Sequence, residues 1–575
     1  YNTLDVETAD TATDITNLKT AGFDSLTLKS GGDYENGSDS VKDAVSTIGT
    51  FVMNAGSTFK NFAQSVIDAG TISGEYTNAE GASDDFESLT IATTGQYTNN
   101  GTSTVGSLTQ TGGLVDNAGT FTIEGTGASI IAGEMSNSGK LTVNGTEGLT
   151  LNDGADVTNT GTWTATAPVT VAGGKLTQAS ETAMSFDSLS VTGGQVAVNA
   201  GTAMNTNALT VDMSEADGVG ITNAGTITGT TITVTQGAIE GEGTLGTADS
   251  TITVEANGRI DQDTVNAKYL SNSGTVVAGA VTLVDPSGNN GTMTVEDVLN
   301  GRLTNNGSLT LGGGAEGFEL ASGLITNNGT LVGAETVRLT GGNITHQSTT
   351  TATFKDLMIE SGRLSVLEGS AVEGENLTIA SDDVSSQIQN EGKVDFDAFT
   401  VTKGSIAGEG TLGAVNSIID VKADGAIDQA SVEGDQLTNA GTIDADNLTV
   451  HTSGSNTGTI TSVVAALGDA FENAASGVMN LADSLTGEIT NNGTINIAGE
   501  NGLTFTDGTL TNHGVLTATE KVTIGSDGFL IQDADQTATF TDLEVVAGGL
   551  TVNAGKTAQG DSLTVNMASG ADAVG

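Results

Sequence analysis

The chain has 575 residues, 81 of them glycine, with two prolines, no cysteine and a net charge of −53. The missing cysteine excludes disulfides, thiol catalysis and cysteine-bound zinc, and so acidic a field argues against nucleic acid and anionic membrane surfaces as partners. Aromatic residues are only 4%, few for a globular core of this size, while Val, Ile and Leu at alternate positions exclude wholesale disorder and point to short strands.

The sequence opens on Tyr1 with no charged-then-apolar leader, so a processed chain, or one cut from a longer protein, is expected. No apolar run is long enough to cross a bilayer as a helix, and direct membrane insertion by this segment is not expected. At Phe23 comes the first of six copies of a motif, Phe followed by apolar residues three and five positions later: "FDSLTL", then "FESLTI" at Phe86, "FDSLSV" at Phe186, "FKDLMI" at Phe354, "FDAFTV" at Phe396 and "FTDLEV" at Phe540. A phenylalanine at a bend, packed over the next turn's apolar row, is the expected role. A sugar-stacking platform would instead need rings facing solvent.

The acidic loop "SGGDYENGSDS" at Ser30, and later "SDD" at Ser381, leave calcium (Ca2+) binding open, although no EF-hand loop or calcium nonapeptide repeat is present. Over 40–53, Val41, Val45, Ile48 and Phe51 fall at helical spacing, and "SVVAALGDAFENAASG" from Ser462 aligns with this stretch. Both segments, 40–53 and 462–473, are candidate helical decorations. The insertion that carries the second is also close to the length of one extra turn.

From Gly101 a shorter mark recurs: Asn-x-Gly followed by alternating apolar residues, as in "NAGTFTIEG" at Asn117, "NTGTWTAT" at Asn159 and "NNGTINI" at Asn491. Asn and Gly tolerate positive φ, which suits a tight turn. The alternation after it places every second side chain on one face. An antiparallel meander would use similar turns. A spacing of about 20 residues, with a second strand and turn inside each interval, favours a coil that returns to its start.

A longer period encloses the short one. "GAIEGEGTLGTADSTITVEANGRIDQ" at Gly237 is rewritten almost word for word as "GSIAGEGTLGAVNSIIDVKADGAIDQ" at Gly404, and "GKLTVNGTEGLTL" at Gly139 matches "GSLTLGGGAEGFEL" at Gly307. The super-repeat copies run over roughly 70–236, 237–403 and 404–575. The final "DAVG" at Asp572 matches "DGVG" at Asp217, as if the chain stops in mid-unit. One coil cannot bury its apolar face alone, so repetition at this period implies stacking. The expected fold is all-β: a single continuous β-solenoid over 1–575, a right-handed parallel β-helix. At about 4.8 Å per turn it would be roughly 140 Å long, with Asn side chains able to form ladders.

The search for chemistry is thin. His346 aligns with Gln178 and Gln532, His451 with Val284, and His513 with Asn328. No copy pairs two histidines and no metal or triad spacing occurs, so all three are expected at exposed turns. Glu242 and Glu409 recur in "GEGTLG", and Asp261 and Asp428 in "IDQ". Glycoside chemistry needs two carboxyls about 5–10 Å apart in a cleft, whereas these acids look scattered. No catalytic or cofactor-binding residue is singled out. Regular outward Thr ranks, the mark of an ice- or mineral-binding solenoid, are not evident.

The phrases "LTNNGTLxL", "LTNAGTI" and "GxGTLG" resemble passenger regions of bacterial autotransporters and filamentous-haemagglutinin-like adhesins over most of the chain. That resemblance implies an extracellular segment at a Gram-negative cell surface, exported through a C-terminal membrane barrel. The expected function is a non-enzymatic rod or filament in adhesion or biofilm matrix, with host or neighbouring cells and their glycans as partners and head-to-tail self-association. The alternative is a polysaccharide-degrading enzyme of the tail-spike or lyase type.

Overall fold

In the computed structural model, which describes residues 2–7, 14–314, 317–382 and 386–566, every regular element is a β-strand and no helix occurs among these residues. The strands pair in parallel with the equivalent strand about 20 residues on, and the fold is a β-solenoid. It divides into two units, 1–293 and 294–575, each built in the same way. The "DAVG" match at Asp572 lies outside the described residues.

One stretch of the first unit shows the plan. Each turn has three faces. The first carries Leu114–Asn117, Glu134–Asn137, Asp156–Asn159 and Lys175–Gln178. The second carries Thr120–Ile123, Lys140–Val143 and Thr162–Ala165. Ser129–Ile131, Leu149–Leu151 and Val169–Val171 form the third. Inward positions stack in register: Val115 on Met135 on Val157, Phe121 on Leu141 on Trp163, and Ile131 on Leu151 on Val171. All of these are buried. Alternation within a strand supplies the apolar row, and the next turn covers it.

The Phe motif is the bend between two faces. In Ser83–Ile91, Asp84 and Phe86 point inward, the chain turns the corner, and Leu89 and Ile91 point inward on the next face. Five of the six motif rings are buried and Phe23 is half-buried, so none is a solvent-facing sugar platform. The same bend explains segments 40–53 and 462–473, which are strand (Val45–Met53 and Thr459–Asn473) and not helix. Ile48 and Phe51 are three apart because a corner lies between them. That gap imitates a helical step, and the inserted residues near Ser462 are ordinary solenoid.

The Asn-x-Gly corner works differently from its φ-based explanation. The asparagine side chain points inward and is fully buried. Its amide donates to the carbonyl oxygen of the asparagine one turn later: Asn99 to Asn117 at 2.8 Å, Asn117 to Asn137 at 2.6 Å, and Asn137 to Asn159 at 2.6 Å. In the second unit Asn439, Asn456, Asn473, Asn491 and Asn512 repeat the pattern at 2.6–2.8 Å. Gly119, Gly139 and Gly161 do not have positive φ. A Cβ on Gly139 would lie 2.1 Å from the carbonyl oxygen of Gly119, and one on Gly161 would lie 2.2 Å from that of Gly139. Close approach of stacked corners demands glycine there. Positive φ serves elsewhere, as at Gly81 (φ 79°).

Replacing Asn137 with Leu keeps the volume but strips a donor from Asn159 and an acceptor from Asn117. At about 1–3 kcal/mol for each buried polar group left unpaired, the loss expected in urea unfolding is about 2–6 kcal/mol. Gly139→Ala is expected to be similarly damaging, although it removes no polar contact, because overpacking of this kind costs about 1–3 kcal/mol.

Candidate functional site

The predicted acids do not converge. Glu242 and Glu409 are exposed. Glu409 lines a shallow groove of about 700 Å³ with Glu368 and Glu391. Asp261 is held by Arg259, which also pairs with Glu240. Asp428 stands next to Asp444 of the following turn, one of several cross-turn carboxyl pairings, among them Glu134 with Asp156 and Glu373 with Asp395. Partial burial, then the charges of Asp428 and Asp446, hold the Asp444 carboxyl above the usual aspartate range. Of the acidic loops, Tyr34 and Asn36 turn inward and belong to the core, and Asp382 pairs with Lys403 at 2.6 Å. Asp383 lies outside the described residues. No group of three or more candidate ligands is placed to hold a metal among the described residues.

Two of the histidines sit at the surface, paired across adjacent turns: His451 with Glu433 at 2.8 Å and His513 with Asp533 at 3.3 Å. His346 overturns the expectation of an exposed turn residue, since it is fully buried. It ends an asparagine ladder, as Gln178 and Gln532 do. Asn305 donates to Asn327 at 2.6 Å, and the Asn327 amide meets His346 Nδ1 at 2.9 Å. An amide N–H can only donate, so Nδ1 is the acceptor and the ring is the neutral Nε2–H tautomer. Nε2 makes no hydrogen bond, and the backbones of Ala371 and Thr350 lie close enough to favour the protonated ring slightly. Gln178 bonds the equivalent backbone groups, of Thr182 at 2.8 Å and Ala203 at 3.2 Å. Burial lowers the His346 pKa.

A second buried titratable group escaped sequence reading. Tyr34, Phe59, Tyr76 and Tyr97 stack inside the first unit with centroids 4.6–5.2 Å apart. The three tyrosine hydroxyls need partners, and the facing inward rank of Ser46, Ser65, Asp84 and Ser103 in successive turns supplies them. Tyr34 meets Ser46 at 2.9 Å and Tyr97 meets Ser103. Asp84, 2% exposed, accepts from Tyr76 at 2.6 Å, Tyr97 at 3.0 Å and Asn61 at 2.7 Å. Burial pushes its carboxyl up to about 7, against the opposing pull of those three donors. The signal was in the sequence: an Asp where neighbouring turns place Ser.

The surface carries two features that depend on register. The bends at Phe186 and Phe354, equivalent in the super-repeat, each open a groove of about 560–570 Å³. The first is lined by Asp187, Asn207 and Thr230, the second by Lys355, Glu375 and Asp397. The third face of the first unit bears an outward rank that, turn by turn from Thr27 to Thr253, reads Thr, Val, Thr, Thr, Thr, Ile, Thr, Thr, Ser, Thr, Thr, Thr. A regular Thr rank is therefore present. It was hidden in the sequence because turn lengths vary. The equivalent rank in the second unit is broken by charge, at Glu319, Arg338 and Asp420.

A carboxyl-resolved NMR titration is expected to place Asp444 above an unperturbed aspartate, and Asp428→Asn to bring it part of the way down, because one of its two charged neighbours is then gone.

No protein-family model, curated protein or solved structure matches the chain.

Proposed function

We propose that the chain is a non-enzymatic structural element of a bacterial cell surface, displayed outside the cell as an extended stack in adhesion or biofilm matrix. The observation that supports this most is where the polar chemistry goes. The inward amides are consumed in ladders between successive turns, and the acids that do share a groove, Glu368, Glu391 and Glu409 in one and Glu373 and Asp395 in another, sit in shallow surface clefts and not in a deep site. Several outward residues differ between super-repeat copies, as Asp187 and Lys355 do, while most inward ones keep their apolar or amide character, as expected of a scaffold that varies its contact surface. Multiple shallow copies favour multivalent attachment to glycans or neighbouring cells over one deep site. The autotransporter-passenger resemblance of the "LTNAGTI" phrases is consistent with this reading, and head-to-tail joining of such stacks would lengthen them.

Beads coated with the chain are expected to adhere to bacterial or host cells, and glycans incubated with it to yield no new reducing ends. Release of reducing ends that is abolished by Asp444→Asn would replace this reading with the polysaccharide enzyme. Electron microscopy showing only dispersed, blunt monomers would remove head-to-tail joining.

The Thr rank favours a second reading, adsorption to an ordered surface such as ice or a mineral, since β-branched side chains held at one spacing are already stiff. Thr150→Glu and Thr170→Arg install the residues that the second unit carries at this register, Glu319 and Arg338. They are expected to fold and to abolish adsorption measured on growing crystals. Wild-type protein that fails to adsorb would end this reading.

A further inference from the structure

Among the described residues, one carboxyl in the first unit and one imidazole in the second are buried where equivalent positions of other turns or copies carry Ser or Gln. In the first unit Asp84 occupies the rank of Ser46, Ser65 and Ser103. In the second, His346 takes the ladder-ending position of Gln178 and Gln532. Repetition makes the exceptions visible, because the same backbone accepts Ser or Gln at these registers without difficulty.

The groups around each residue fix what a proton does there. Asp84 is faced by the hydroxyls of Tyr76 and Tyr97 and the amide of Asn61, with Ser65 and Ser103 in the adjoining turns. None of these is a cation; the three donors favour the carboxylate, but burial without a countercharge outweighs them and raises its hold on a proton. His346 is faced by the Asn327 amide from the turn before, by Val366 from the turn after, and by the Thr350 and Ala371 backbones. None of these is charged. A second proton would go on Nδ1, directly against the Asn327 N–H, setting donor against donor and ending the ladder's last bond.

We propose that Asp84 and His346 are acid-responsive latches of opposite sign, so that acidification from neutral tightens the turns around Asp84 and loosens those around His346. The signs follow from proton linkage. Opened Asp84 returns to an ordinary carboxyl near 3.8 while the closed site holds its proton up to about 7. Opening there releases a proton between these values and is suppressed as pH falls. Opened His346 regains an ordinary imidazole near 6.5, whereas the closed site resists protonation. Opening there takes up a proton and is promoted as pH falls below that value. In a one-dimensional stack such openings are local, because each turn leans only on its neighbours. The latches do not depend on the surface role proposed above.

Hydrogen exchange by mass spectrometry on the full chain, from pH 5 to pH 8 with rates corrected for the intrinsic pH dependence of exchange, tests this. Protection of peptides covering 324–346 is expected to fall by up to about tenfold per pH unit below about 6.5, the limit for one proton. Protection of peptides covering 83–105 is expected to rise by up to about tenfold per unit as pH falls from about 7. His346→Gln, taken from the chain's own repeats, should flatten the first profile and leave the second unchanged. Asp84→Ser should flatten only the second, and Asp84→Asn, closer in volume, serves as its partner if Ser leaves a void. Flat wild-type profiles, slopes of the wrong sign, or slopes that survive the substitutions would each overturn the proposal.

Discussion

The rise between turns is the constraint on which the rest depends. Parallel backbone pairing fixes it at about 4.8 Å, and whatever points inward must find its partner at that distance, in the same position, one turn away. An asparagine amide spans the step with its own N–H and C=O, so a column of asparagines satisfies itself. Successive bonds point the same way and reinforce one another in a low dielectric. The stacked corners leave no room for a Cβ, and the rings of Tyr34, Phe59, Tyr76 and Tyr97 stack because their strands do. Polar, apolar and steric features of the core are three answers to one spacing.

Much of this was legible before any coordinates. Alternation gave the strands, the short period gave the stack, and the Phe motif was correctly read as a bend. Where reading went astray, the cause was geometric. Ile48 and Phe51 looked helical because a corner lengthens the two-position step of a strand to three. The corner glycines were credited with positive φ when contact with the turn below decides them. His346 was judged as an isolated residue, although its alignment with Gln178 and Gln532 already marked an amide-like position inside. Asp84 lies two residues before "FESLTI" and was not singled out, because nothing in that motif marks the position as inward.

Inside and outside obey different rules. Inward positions recur between super-repeat copies because the neighbour above and below must match. Outward positions are free to drift, and some do: Thr170 answers to Arg338 and Asp187 to Lys355 at the same register, although Glu242 and Glu409 recur. The groove beside Phe186 and the one beside Phe354 share a backbone cause and present different chemistry. Specificity in such a molecule resides in decoration laid on an indifferent frame.

One detail of the ladder bears on how a chain of this kind varies. In the first unit the column through Val211, Val234 and Val254 on the third face is continued by Asn272 and Asn289, while the first-face column that held Asn223 passes through Gln262 to Ala278. The amide seam thus hops to an adjacent side once in this stretch, and Val421 and Ala440 make the matching step one super-repeat later. Which side carries the amides is set by the residue at each corner and not by the backbone, so a local change of sequence re-seats the seam without altering the frame.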